Sequence, residues 1–158
     1  MINAAALISV LESEKETYQA LLDLSKRKHN LIVEGDIEGL QDAVRDTERT
    51  VITMCNLEKE RQKIVGLSRS SLKAPQRLST IIRSLDEASA AQAQALREEI
   101  LSIMNELDMS NKTNAELIKK GIGHIQFMLS SLVHDDNPTY SNKTNPQKAA
   151  LRLFDGRA

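Results

Sequence analysis

The chain has 158 residues, 21 of them basic and 22 acidic, for a net charge of −1. That length fits one modest domain or one extended helical assembly rather than a two-domain enzyme. That charge leaves no field strong enough to hold a nucleic-acid backbone or an anionic membrane. Tryptophan is absent, two tyrosines and two phenylalanines are the only aromatics, and residues 1–74 and 76–137 contain no proline, so the chain is written for long helices rather than for sheets. Cys55 is the only cysteine, and the first residues lack the charged and apolar regions of a secretion signal, so a reduced, cytoplasmic protein is expected. Charged or amide residues break every hydrophobic segment well short of the roughly 18 apolar residues of a membrane span, so no membrane insertion is expected.

In the first predicted helix, about 4–33, Ala4, Leu7, Leu11, Tyr18, Leu21, Ser25 and Ile32 recur at the three-four spacing of one helix face. Ile8 and Leu22 widen the stripe. Glu14 and Lys28 fall where a strict heptad wants apolar groups, which favours a packed bundle over a uniform coiled coil. Gly35 can take the left-handed position after a helix end, and Asp36 follows as the cap of the next helix, so the pair predicts a tight reversal. The run Lys26, Arg27, Lys28 reads as favourable charge near a helix C-terminus.

A second helix, about 37–65, carries Ile37, Leu40, Val44, Thr47, Val51, Met54 and Val65 on one side, with Cys55 read as a small core residue beside Met54. A loop is predicted between Gly66 and Ala74, with Pro75 in the first turn of a third helix, about 76–133. Its stripe runs through Leu78, Ile82, Leu85, Leu96, Ile100, Ile103, Leu107, Asn111, Asn114, Ile118, Ile122, Ile125, Leu129 and Leu132. Each of the first two helices is about 45 Å long, whereas an unbroken third would reach about 84 Å. Either it breaks, with Thr113 and Glu116 as a capping box for a fourth helix, or its far half projects. Projection is the favoured reading, with Gly121 and Gly123 weakening that half.

Residues 134–158 hold two prolines, no helical stripe before Ala149 and a short apolar cluster, Leu151, Leu153 and Phe154. This is the profile of a mobile docking tail. The expected fold is therefore all-α: an antiparallel, coiled-coil-like bundle of three long helices over 1–133, the third the longest, followed by a flexible C-terminal tail. His29, His124 and His134 are dispersed, no nucleophile elbow, phosphate loop or dinucleotide fingerprint occurs, and neither catalytic residues, metal nor cofactor is expected.

The ordered set Leu11, Glu14, Tyr18, Leu21, Leu22, Leu24, Lys28, Leu31, Val33, Gly35, Asp36, Leu40, Glu48, Leu57, Glu58 and Arg61 resembles the flagellar export chaperones of the FlgN family. So does the later run of Asn111, Asn114, Leu117, Ile118, Ile122, Ile125, Leu129 and Leu132, ahead of Thr139-Tyr140. The resemblance implies a cytoplasmic chaperone that binds the amphipathic terminal helices of hook-filament junction proteins and brings them to the type III export gate. The implied client surface is Asn111, Asn114, Leu117, Ile118, Ile122, Ile125, Met128, Leu129 and Leu132. The two asparagines could fix the register of a client helix or, the favoured reading, pair with each other in a core. Tyr140 is the implied contact for the cytoplasmic domain of the gate, although the glycine that often follows it in the family is replaced by Ser141-Asn142-Lys143. Leu151, Leu153 and Phe154 are implied tail contacts. The alternative is a structural or regulatory bundle that self-associates through the third helix.

Overall fold

The computed structural model describes residues 2–66 and 74–135, and these form α1 (Ala4–Glu34), α2 (Ile37–Val65), α3 (Ala74–Arg83) and α4 (Glu87–Asp135). The chain divides into two compact units, Met1–Asn114 and Ala115–Ala158. The expected tail residues Tyr140, Leu151, Leu153 and Phe154 lie outside the described residues, as do 67–73 of the expected loop.

In the first unit, α1 opens on Asn3, whose side-chain oxygen accepts from the Ala6 N–H at 3.1 Å. It closes on Gly35, held at φ 71°, where the N–H groups of Gly35 and Asp36 reach back to the carbonyls of Ile32 and Leu31. Asp36 then caps α2 by accepting from the Gly39 N–H at 2.9 Å. A Cβ on Gly39 would lie 2.5 Å from Asp36 Oδ2 and 2.8 Å from Leu31 Cδ2, so a side chain there would have to displace the capping carboxylate and the Leu31 methyl. The chain reverses within these residues. Cross-helix pairs give the directions: Glu14 with Arg61 and Arg27 with Asp46 run antiparallel between α1 and α2, while Lys15 with Glu99 and Lys26 with Glu106 rise together along α1 and α4, which are parallel.

The expected third helix is two helices, which corrects the three-helix reading: the longest element is the fourth, and the third has only 10 residues. Ser84 and Leu85 tighten the end of α3 by donating to the carbonyls three residues back, Ile81 and Ile82. Asp86 restarts the helix by accepting from the Ser89 N–H at 3.0 Å. The stripe continues across this break. Ile82 before it joins Ala93, Leu96 and Ile100 after it in one core with Leu7 and Leu11 of α1, flanked by Ile64 and Val65 of α2. No break occurs at the candidate capping box, where the Thr113 hydroxyl donates to the Met109 carbonyl inside α4.

Two smaller expectations also change. Met54 is buried, but Cys55, one residue and about 100° round the helix, is exposed. Lys26 and Arg27 stand away from the end of α1 and pair across helices, with Glu106 at 3.9 Å and Asp46 at 3.5 Å. Both pairs are exposed and contribute little to stability.

The Asp86 cap is testable through its pH dependence. The backbone N–H and hydroxyl of Ser89 hold its carboxyl below the ordinary 3.8. A depressed folded value means the cap contributes fully above the ordinary value and is lost as pH falls through the folded one. Asp86→Ala should therefore melt below the parent protein near neutrality, and the gap should close in acid well under pH 3.8. A gap independent of pH would show that the carboxylate does not cap α4.

Candidate functional site

Where α1 and α4 meet, the first unit carries a buried polar cluster. Ser25 is fully buried, its hydroxyl 2.9 Å from Asn111 Oδ1 and 2.7 Å from the Ser110 hydroxyl. An amide oxygen only accepts, so Ser25 spends its one proton on Asn111 and Ser110 must donate to Ser25. The Asn114 amide donates to the Ser25 carbonyl at 2.9 Å, and its oxygen lies 3.1 Å from His29 Nδ1, which must carry the hydrogen. Asn114 is 6% exposed. Of the two asparagines expected to meet a client, Asn114 is thus enclosed and bonded to α1, and Asn111 is exposed with its side-chain oxygen engaged.

A second buried polar pair joins α1 to α2. Arg61 Nε donates to Glu14 Oε1 at 2.8 Å, and Glu14 is 4% exposed. Burial pushes the Glu14 carboxyl above its ordinary range, and the Arg61 hydrogen bond and charge oppose that rise. Burial also raises the half-buried Tyr18 phenol, with Glu14 and Glu58 adding to the effect, and lowers the Lys28 ammonium. The positions that spoil a strict heptad in α1 are accounted for in this way: Glu14 is paired, and Lys28 is partly desolvated. Beside the pair lies a cleft of about 270 Å³ within the first unit, bordered by all four helices.

In the second unit, Ile118, Ile122, Ile125, Leu129 and Leu132 follow one another at four- and three-residue steps along α4, and each is exposed. Met128 is exposed on the flank, and Leu117 is half-buried. The structure adds Phe127 and Val133, exposed at 69% and 67%. Phe127 lies about 200° round the helix from both Ile125 and Leu129, so stripe counting passes over it. Its rarity was the available signal, as one of two phenylalanines in the chain. Nothing lies within 4 Å of where a Cβ would stand on Gly121 or Gly123, so neither glycine serves a close approach. Among the described residues no group of three His, Cys, Asp or Glu side chains could hold a metal, and no helix is long and apolar enough to cross a membrane.

Among the described residues, which are helical and leave no buried side-chain polar atom unpaired, the exposed aliphatic row has the make-up of a surface that binds other polypeptides. The sequence profile of the FlgN protein family matches residues 1–148, and the chain belongs to this family of flagellar export chaperones, whose members bind flagellar export clients. No curated protein and no solved structure matches it.

The buried cluster predicts a stability effect. Asn114→Ala removes the buried hydrogen bonds to the Ser25 carbonyl, which keeps its helix partner, and to the half-buried His29 ring, and should cost about 0.5–1.5 kcal/mol for each in denaturant unfolding. Asn111→Ala, at an exposed position, should cost less. Equal losses would show that burial does not govern the cluster.

Proposed function

We propose that this chain is a cytoplasmic chaperone for hook-filament junction proteins, binding their amphipathic terminal helices on the distal face of α4 and handing them to the type III export gate. The observation that carries the reading is the exposed row Ile118, Ile122, Ile125, Leu129 and Leu132 in a member of an export-chaperone family. Met128 and Leu117 extend the face, whereas Phe127 stands on the opposite side of the helix. Asn111, in the first unit, is assigned to the client as well. Asn114 is left out, because its amide is already bonded within the first unit.

The chemistry suits a carrier. Full burial of an Ile, Leu or Met side chain contributes about 1.5–3 kcal/mol, and roughly half of that remains to be gained where the side chain is already half covered. Several such residues must offset an association cost of about 4–15 kcal/mol. The balance supports a complex that persists in the cytoplasm and still lets the client go. A client helix that becomes ordered only on assembly would otherwise present its apolar face to the wrong neighbour.

Tyr140 is assigned to the gate's cytoplasmic domain, as an amphipathic ring in a polar segment. Leu151, Leu153 and Phe154 are assigned to supporting contacts of the tail. A self-associating bundle with no secretion client would use the same face of α4.

A charge within the face tests the reading. Ile122→Glu or Ile125→Glu should abolish binding of a purified junction protein in calorimetric titration while circular dichroism stays nearly unchanged. Binding that survives both changes would remove the face from the mechanism. A stable dimer that covers the row and refuses junction proteins would favour the self-associating alternative. Tyr140→Ala should leave client affinity intact and reduce secretion of junction proteins into the medium; normal secretion would rule out the gate contact.

A further inference from the structure

We propose that the cleft in the first unit is a second docking place for the client, taking about two turns of an amphipathic helix that carries an acidic residue on one flank and a basic residue on the other. This rests on the client-binding reading above and adds a site to it. Among the described residues, Leu78 is what α3 contributes to the cleft lining, beside residues of α1, α2 and α4. Leu11 and Tyr18 of α1 and Arg97 and Met104 of α4 mark its extent. Each pair is seven residues apart, or about 10 Å, the length of two helical turns.

What lines the cleft defines its occupant. Leu101 and Met104 remain 44% and 40% exposed at its border, apolar surface that a partner would cover. Glu14 is spent on Arg61. Arg97 on α4 is half-buried and, among the described residues, has neither ion pair nor hydrogen bond, and the same is true of the exposed Glu58 on α2. The lining therefore offers an unmatched cation on one helix and an unmatched anion on another, with aliphatic surface beside them. A polyanion gains nothing from charges that cancel. A helix with Leu, Ile or Met along one face, a carboxylate toward Arg97 and a Lys or Arg toward Glu58 matches both sides, which favours correct register and orientation.

The methionines test this without altering the fold, since Met104 reports the cleft and Met128 the distal face of α4. The full chain, labelled at its methionine methyl groups, is titrated with a purified hook-filament junction protein and followed by NMR. The Met104 and Met128 signals should both move, and Arg97→Glu should weaken the complex roughly tenfold with circular dichroism unchanged. Movement of Met128 alone would overturn the second site and leave the chaperone reading standing. If neither moves, both fall. A Met104 signal that moves on concentrating the chain alone would assign the cleft to a second copy and overturn the proposal, as would an Arg97→Glu protein of undiminished affinity.

Discussion

The exclusion of apolar surface from water governs both units, and they meet it differently. In the first, Leu7, Leu11, Ile82, Ala93, Leu96 and Ile100 cover one another. In the second, residues of the same kind, recurring at the same period, are left exposed. Helix α4 has 49 residues against 31 in α1 and 29 in α2. The hydrophobic period of α4 continues into the second unit with its aliphatic side chains exposed, apolar surface of the kind that marks a place for binding.

Apolar packing alone tolerates sliding of one helix along another by a turn, and the buried polar groups remove that freedom. The buried Asn114 amide finds the Ser25 carbonyl only when α1 and α4 stand at one level, and Arg61 meets Glu14 only at one level of α2. A slip would leave these groups desolvated and unpaired, at about 1–3 kcal/mol for each neutral group and more for the charges. The cleft beside Glu14 inherits its shape from that register.

Much of this was legible in the residues. Gly35-Asp36 announces the reversal because only a few residue types tolerate a left-handed helix end followed at once by a cap, and the stripes of α1 and α2 follow from simple spacing. The break at Ser84–Asp86 was not legible by that route, since α3 and α4 feed one core and the period crosses the interruption as though the helix were whole. Asp86 with Ser89 three residues on was the local cue, easily taken for ordinary helix surface. Asn114 shows a different limit: an amide on an apolar stripe fits a buried bond or a client contact, and only the position of Ser25 decides between them. Cys55 was misplaced because its neighbour's burial says nothing about a side chain a quarter-turn away.

The join between α1 and α4 at Ser25 has a consequence beyond fixing register. Its bonds between Ser25, Ser110, Asn111 and Asn114 link hydroxyls and amides, whereas Lys26 with Glu106 nearby is an exposed ion pair. Dissolved salt weakens attraction between exposed charges over about 8–10 Å and has little hold on uncharged dipoles in contact. An osmotic shock that changed the ionic content of a cell would loosen the outer pair and leave the inner fastening as it was.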